Sequence, residues 1–251
     1  MKLNKGSEIG IALGGGAVLG AVHIGVIKAF EEHAIKIQCI SGTSIGALIA
    51  SLYACDLDGV TIEKLLTKQS WFDISQISLS RLGILSNQKL GKFVDKHVGS
   101  KHFDETHIPL AIVASDLIEG EKIILNKGKI ADAVMASTSI PGIFSPVTID
   151  DRVLVDGGIT ENLPLSPLKS FGCETIVGVD LTNIKNTDPK NIFDVLMNAF
   201  NIAQHNTAKI QQEDADIVIT PNLSQFNFVD TKQIPDLIAI GYEEALSVIE
   251  Y

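Results

Sequence analysis

The chain has 251 residues, 45% of them hydrophobic, which suffices for a buried core within a single domain over residues 1–251. Its formal net charge is −10 and it has no basic tract, which argues against a nucleic-acid binder and against electrostatic attachment to anionic membranes. Its mean hydropathy is +0.26, but no run of about 18 apolar residues is present, so no transmembrane helix is predicted. The first apolar run leads straight into glycines, as expected for a strand and not for a signal peptide.

The predicted elements alternate between short apolar runs and helical patterns. In chain order they are a strand (8–13), a helix (22–33), a strand (37–41), a helix (45–54), two strands (109–117 and 121–126), a helix (130–138), two strands (152–158 and 174–181) and two helices (191–212 and 235–250). Near-continuous Val and Ile runs separated by helices favour an α/β fold with a mixed, mostly parallel central sheet. Helices are then expected on both faces of that sheet.

Large apolar side chains crowd the less regular segment 71–98. They are Trp71, Phe72, Ile74, Ile77, Leu79, Leu82, Ile84 and Leu85. Two interpretations stay open: these side chains fill the core, or some of them line an apolar substrate channel.

The three cysteines Cys39, Cys55 and Cys173 are far apart and odd in number. This pattern indicates reduced thiols in the cytoplasm, with neither a disulfide framework nor a zinc cluster. No other group of residues resembles a set of metal ligands, so we expect neither a metal nor another cofactor.

Ser44 lies in the pattern Gly-Thr-Ser-Ile-Gly, between the strand 37–41 and the helix 45–54. In a nucleophile elbow the serine occupies a sharp strand-to-helix turn with strained dihedrals, and glycines such as Gly42 and Gly46 remove side chains that would collide there. The positive end of the helix then lies beneath the serine. The alternative is a chance match in which Ser44 only caps the helix.

A glycine-rich loop, "LGGGAVLGAVHIG" over 13–25, follows the first strand. Consecutive glycines can direct several backbone N–H groups into one concavity, which suits an oxyanion hole. The alternative is a dinucleotide-binding turn, but the position expected for its third glycine is Leu19. No acidic residue clearly ends the second strand either.

A base for Ser44 is harder to assign. Of the six histidines only His205 comes late in the chain, and it lies within a predicted helix, while His23 lies inside the first helix, so a histidine triad does not assemble. Asp116, Asp156 and Asp180 each end a predicted strand, and position alone does not choose among them.

Asp156 is followed by Gly157 and Gly158. Two glycines let the backbone turn sharply and let another element approach closely. An ordinary Asp-Gly turn is the alternative interpretation.

Four segments in this order resemble the bacterial patatin-like phospholipases, which are serine acyl hydrolases with a Ser–Asp dyad and no catalytic histidine. The segments are "GGGAVLGAVHIGVI", "GTSIG", "ASTSIPGIFSPV" and "VDGGITENLP". The resemblance reaches to about residue 181 and implies a three-layer α/β fold. It also implies a phospholipase A or lysophospholipase type of enzyme that hydrolyses fatty-acyl esters through an acyl-enzyme. The substrate is expected at a membrane surface, which a cytoplasmic protein contacts peripherally.

By this resemblance Ser44 matches the nucleophile and Asp156 the dyad aspartate, and the N–H groups of Gly15, Gly16 and Ala17 match the oxyanion loop. The chain departs from the family pattern at two positions. Ala17 replaces a glycine, which is compatible with the loop if its backbone dihedrals are ordinary. Leu19 replaces Arg or Lys, and the loss of this cation is expected to lower activity or to change the preference for charged head groups. An acyltransferase and a catalytically weak lipid-binding module are the alternatives.

Overall fold

A computed structural model describes residues 1–68, 76–77, 82–186 and 188–250. Its strands are β1 (Glu8–Leu13), β2 (Lys36–Thr43), β3 (Gln76–Ile77), β4 (Gly83–Ser86), β5 (Leu110–Asp116), β6 (Lys122–Leu125), β7 (Gly142–Phe144), β8 (Val147–Ile149), β9 (Arg152–Asp156), β10 (Ile176–Val179) and β11 (Ile217–Ile219). Its helices are α1 (Ala21–Glu32), α2 (Ile45–Ala54), α3 (Gly59–Thr67), α4 (Gln88–Val98), α5 (Ile130–Ser137), α6 (Ser166–Ser170), α7 (Ile192–Gln211) and α8 (Ile234–Ser247). No helix of the described residues is both long and apolar enough to cross a membrane.

The central sheet has the strand order β11-β10-β1-β2-β5-β9-β8, and β6 pairs with β5. Strands β11, β10, β1, β2 and β5 run parallel, whereas β6 and β9 run antiparallel to β5. All seven residues of β5 are buried, as expected for a strand covered on both faces. The predicted mixed, mostly parallel sheet with flanking helices is therefore confirmed.

Strand register brings two distant parts of the chain to the same level of the sheet. Thr43, at the end of β2, pairs with Val113 of β5, and Asp156, at the end of β9, pairs with Ala114 of β5. Although β9 runs opposite to β5, this register leaves its last residue level with the carboxyl end of β2. The residue after Thr43 and the last residue of β9 are thus separated by one strand.

The expectation of reduced thiols without a disulfide is wrong, because the structure joins Cys39 and Cys173. Cys39 lies on β2, and Cys173 precedes β10, so the two residues flank β1 from opposite sides. Between them is Gly10 of β1, where a Cβ atom would lie 2.9 Å from both sulfurs. The absence of a side chain at Gly10 leaves the room in which the sulfurs meet, while Cys55 is free and buried.

Candidate active site

Ser44 occupies the turn between β2 and α2 with φ 55° and ψ −122°. A positive φ is costly for a serine and persists only where the surrounding structure enforces it. A Cβ atom at Gly42 would overlap the backbone of Gly46, and one at Gly46 would overlap the carbonyl oxygen of Leu13. The elbow can therefore form only with glycine at both positions.

Ser137, at the end of α5, holds this strained turn. The backbone N–H of Ser44 donates to Ser137 Oγ over 2.8 Å, and Ser137 Oγ donates to the carbonyl of Val113 over 2.6 Å. Sequence reasoning did not single out Ser137, although it lies in the family segment 136–147. A lone serine at a helix end carries no sign of the contact it makes 93 residues away.

Asp156 is fully buried at the end of β9. Its Oδ1 accepts the N–H of Gly158 over 2.9 Å, which orients the carboxyl group. Burial raises the pKa of Asp156 to about 7, while the hydroxyl of Ser44 and the N–H of Gly158 act in the opposite direction. The Ser44 contact does not reach the geometry of a formed hydrogen bond, since Oδ2 has no hydrogen-bond partner in the described part of the chain.

The other two candidate acids are engaged in turns of their own. Asp116 accepts the N–H groups of Ile118 and Glu119, which together hold its pKa below the usual range, and it pairs with Arg152 over 3.1 Å. Asp180 accepts the N–H of Thr182 over 2.9 Å and also accepts from Gln212. None of the three carboxyl groups lines the cavity at Ser44. Asp156 is brought close to Ser44 by strand register, which sets the end of β9 level with the end of β2, and the Ser44 hydroxyl acts on its pKa.

Neither of the two histidines weighed as a base forms a hydrogen bond with Ser44 in the described residues. His205 is exposed on α7, where Nδ1 lies 3.3 Å from Thr182 Oγ1. His23 is fully buried, and burial lowers its pKa to about 4, so the ring stays neutral. Its Nε2–H donates to the carbonyl of Gly14 over 2.8 Å, which anchors the glycine loop.

The glycine loop has two free backbone donors beside Ser44. Gly15 N–H donates to the carbonyl of Asn162 over 3.4 Å, but no such partner exists among the described residues for the N–H of Gly16 or of Ala17. Ala17 opens the short 3-10 helix Ala17–Gly20, whose first N–H groups cannot bond within the helix. These two N–H groups fit an oxyanion better than that of Gly15 does.

The condition under which Ala17 would suit the loop, ordinary backbone dihedrals, is not met, because its φ is 51°. A left-handed alanine costs roughly 1–2 kcal/mol relative to glycine, and the loop adopts this conformation regardless. Leu19, which stands where the family has a cation, is fully buried in the hydrophobic core. A charged side chain at that position would lie among apolar groups, so the loop carries no positive charge there.

An apolar cavity of about 280 Å³ opens at Ser44. Its apolar lining comes from the glycine loop, α2, β4, α4, the segment that includes β7, α7 and the loop before α8. The residues are Ala17, Val18, Ile45, Leu48, Leu85, Leu90, Ile140, Ile143, Phe144, Phe193, Met197, Phe228 and Val229. Asn87 and Thr138 are the polar members of the lining besides Ser44. A cavity of this volume with an apolar lining suits a fatty-acyl chain whose ester end reaches Ser44.

Part of the apolar segment 71–98, for which a core and a channel interpretation were both open, is described by the structure. Leu85 lines the cavity, as the channel interpretation expects, whereas Ile84 is 62% exposed and belongs to neither interpretation. The side chains of Trp71, Phe72, Ile74, Ile77 and Leu79 lie outside the described residues.

A family model described as patatin-like phospholipase matches residues 11–169, which hold the glycine loop, Ser44 and Asp156. The chain belongs to the patatin-like phospholipase family. The predicted recognition is therefore confirmed, and the dinucleotide-binding alternative is set aside.

Relatives and solved structures agree with this assignment. The chain is 34% identical over 176 residues to an uncharacterized NTE family protein of Mycobacterium bovis, covering 69% of this chain and 49% of that protein. It is 31% identical over 201 residues to "Lysophospholipase NTE1" of Eremothecium gossypii, covering 78% of this chain and 13% of that protein. The chain thus spans about half the length of the mycobacterial relative and a small part of the fungal one.

Two crystal structures share the fold at low identity. VipD from Legionella pneumophila has a TM-score of 0.56 and 15% identity, covering 98% of this chain and 67% of VipD. The type III effector protein ExoU has a TM-score of 0.51 and 15% identity, covering 97% of this chain and 53% of ExoU.

Proposed function

We propose that this patatin-like chain is a serine acyl hydrolase that cleaves fatty-acyl esters of lipids, with Ser44 as nucleophile and Asp156 as base. The proposal is supported by a serine at positive φ that lines an apolar cavity, with the buried carboxyl group of Asp156 one strand away at the same level of the sheet. The family description and the names of the lysophospholipase relatives support the substrate class. Phospholipase A or lysophospholipase activity is the finer form of the proposal.

In the proposed reaction, Ser44 Oγ attacks the acyl carbonyl carbon and its proton passes to Asp156 Oδ2, the oxygen that has no partner in the described residues. The N–H groups of Gly16 and Ala17 receive the oxyanion. The tetrahedral intermediate then collapses, the leaving alcohol takes the proton from Asp156, and the acyl group stays on Ser44. A water oxygen then attacks the acyl carbon and gives a proton to Asp156. The bond to Ser44 Oγ breaks, the serine oxygen takes the proton back from Asp156, and the fatty acid leaves.

The raised pKa of Asp156 makes this dyad chemically reasonable. A carboxylate with an ordinary pKa near 4 is a weak base toward a serine hydroxyl at neutral pH. Burial moves the pKa of Asp156 to about 7, which strengthens the base while leaving a large share of it ionised near neutrality. The two loop N–H groups and the N-terminus of α2 supply the remaining stabilisation of negative charge.

We further propose that the enzyme meets its substrate at a membrane or micelle surface, since a net charge of −10 favours apolar over electrostatic contact. A cytoplasmic location with peripheral membrane contact and a single domain over 1–251 stay predictions.

A fluorophosphonate probe tests the nucleophile directly. We expect covalent labelling of the wild type and none of Ser44→Ala, with loss of hydrolysis across a panel of acyl esters. Ser247→Ala, which changes an exposed serine at the end of α8, is the control and should label like the wild type. Equal labelling of Ser44→Ala would remove Ser44 from the mechanism, and transfer of the acyl group to added alcohols in preference to water would identify an acyltransferase.

A further inference from the structure

His23 is a fully buried titratable side chain that the proposed reaction does not use. It lies on α1, and its Nε2 is 2.8 Å from the carbonyl oxygen of Gly14. Because a carbonyl oxygen can only accept, Nε2 must carry the proton, and the buried Nδ1 is left without a partner in the described residues. Burying a polar ring that is only half satisfied is unfavourable, so the contact with Gly14 calls for an explanation beyond packing.

The peptide group that joins Gly14 to Gly15 is held at both of its polar ends. Its carbonyl oxygen accepts the N–H of His23, and its own N–H, which belongs to Gly15, donates to the carbonyl of Asn162 over 3.4 Å. A peptide group is planar, so holding its C=O and its N–H together fixes the direction in which the chain continues. The chain continues into Gly16 and Ala17.

The N–H groups of Gly16 and Ala17, which we call the donor pair, are the only ones between Gly14 and Leu19 that lack an acceptor in the described residues. The N–H groups on either side of the donor pair all donate to backbone carbonyls. Gly16 and Ala17 also line the same small recess as Ser44. Donors that are held in place before negative charge develops stabilise it without reorganisation.

The Gly14 carbonyl also lies where the glycine loop meets the elbow. A Cβ atom at Gly46, two residues after Ser44, would be 2.8 Å from this oxygen. The same oxygen is thus held by His23 of α1 and packed against the start of α2. A rotation of the peptide group would move the donor pair relative to Ser44, and an oxyanion hole works only with donors at hydrogen-bond distance from the developing charge.

We propose that His23 is a positioning residue for the oxyanion hole: its Nε2–H fixes the Gly14 carbonyl and thereby aims the donor pair at the oxyanion. The inference rests on the proposed hydrolase function. His23 lines neither the cavity nor the recess at Ser44, so it acts through the loop and not on the substrate. The ring stays neutral while it does so, since burial lowers the pKa of His23 to about 4.

Two substitutions of His23 separate the hydrogen bond from the packing. His23→Leu fills the space but cannot donate, and we expect kcat to fall by about thirtyfold or more with KM changed by less than about threefold, because the donors act on the transition state and the acyl cavity is untouched. His23→Gln keeps an N–H near the position of Nε2 and should stay within about fivefold of the wild-type kcat.

A pair of ketones reports on the oxyanion hole itself. A decyl trifluoromethyl ketone adds to Ser44: Oγ bonds to the carbonyl carbon, the C=O electron pair moves to the oxygen, and the serine proton passes to Asp156. The methyl ketone with the same chain occupies only the cavity. His23→Leu should weaken inhibition by the trifluoromethyl ketone by about the same factor as it lowers kcat/KM, and should leave inhibition by the methyl ketone unchanged.

Ser51→Ala is the matched control. It removes another fully buried side-chain donor, whose Oγ donates to the carbonyl of Ala47 over 2.6 Å, and it should keep the wild-type ratio of the two inhibition constants. Urea unfolding shows which variants are folded. If His23→Leu does not fold, His23→Asn replaces it, because this shorter amide does not reach Gly14 and should show the same selective loss relative to His23→Gln.

Three results would overturn the positioning role while leaving Ser44-dependent hydrolysis in place. They are wild-type kinetics in the folded variant without the donor, an equal loss of inhibition by both ketones, and a His23→Gln variant as impaired as His23→Leu. Absence of any hydrolysis that depends on Ser44 in the wild type would instead overturn the proposed function.

Discussion

At the scale of single residues, the site depends on a carboxylate that is deprived of solvent and of most partners. Asp156 has one backbone donor at Oδ1 and none at Oδ2 in the described residues, whereas Asp116 and Asp180 each accept several hydrogen bonds. A carboxylate whose lone pairs are already occupied is a poor proton acceptor. The difference in partners is thus the physical reason why Asp156 suits the base.

Asp156→Asn should fold and lose at least about a thousandfold in kcat/KM, because the amide keeps the shape but cannot accept the serine proton. The wild-type activity should also decline as the pH falls below about 7, where protonation removes the base, given that burial raises the pKa of Asp156 to about 7. Asp116→Asn and Asp180→Asn serve as controls, with ester hydrolysis and circular dichroism measured on all three. Inactivity of a folded Asp116→Asn or Asp180→Asn variant, with an active Asp156→Asn, would show that the acid is wrongly assigned.

At the scale of elements, the elbow between β2 and α2 is set by close backbone approach. Gly46→Ala should yield little or no folded protein, because its Cβ atom would overlap the carbonyl oxygen of Leu13 on β1, which cannot move without distorting the sheet. The matched control is Gly172→Ala, where φ is +78° but the space around a Cβ atom is open. This control should lower the unfolding free energy by about 1–2 kcal/mol, the cost of a left-handed alanine without a steric clash. A Gly46→Ala variant as stable as Gly172→Ala would show that the elbow tolerates a side chain.

Helix α7 connects the cavity to the surface. Phe193 lines the cavity and is 40% exposed, and Ile192 beside it is 72% exposed, so the start of α7 presents apolar side chains at the cavity mouth. An apolar rim of this kind suits contact with the surface of a lipid aggregate. The buried amides of Asn201 and Gln204 lie further along the same helix.

Ile192→Ser should reduce activity on esters embedded in neutral vesicles, relative to a short soluble ester, by about tenfold, since burying one isoleucine is worth roughly 1.5–3 kcal/mol. Ile210→Ser is the matched control, because Ile210 is 73% exposed near the other end of α7. The ratio of vesicle to soluble activity is measured for both variants, together with co-sedimentation on the vesicles. Equal ratios in the two variants would exclude the start of α7 as the contact surface.

At the scale of the whole molecule, burying the carboxyl group of Asp156 links stability to pH. The pKa rises from 3.8 to about 7 on folding, so between these values the native state holds a proton that the unfolded state releases. Stability from this group is therefore full below about pH 4 and is lost as the pH rises through 7. At higher pH the folded protein retains a buried charge.

Asp156→Asn should accordingly be more stable than the wild type at pH 8, by on the order of 1–4 kcal/mol, and the difference should shrink toward pH 4. Urea unfolding of both proteins across this pH range measures the effect, and taking the difference removes the titration of groups common to both. A constant difference at all pH values would mean that the pKa of Asp156 is not raised in the folded protein.

Local patterns in the sequence determined much of this protein. The helices 45–54 and 191–212 were predicted to within one residue of the observed α2 and α7, because each has a long and uniform apolar or amphipathic pattern. Short strands such as β7 and β11 were missed, since three residues carry too little periodicity. The elbow around Ser44 was recognised because glycines stand two residues before and two residues after it, where a tight turn leaves no room for side chains.

Only the tertiary structure decided which groups meet Ser44. From the residues alone three aspartates stayed open, and it was the family resemblance that selected Asp156; the pairing of β9 with β5 now places that carboxyl group beside the end of β2. The same holds for the disulfide between Cys39 and Cys173 and for the hydrogen bond from Ser44 to Ser137. These features join residues that are far apart in the chain, and strand order and register, rather than any local pattern, bring them together.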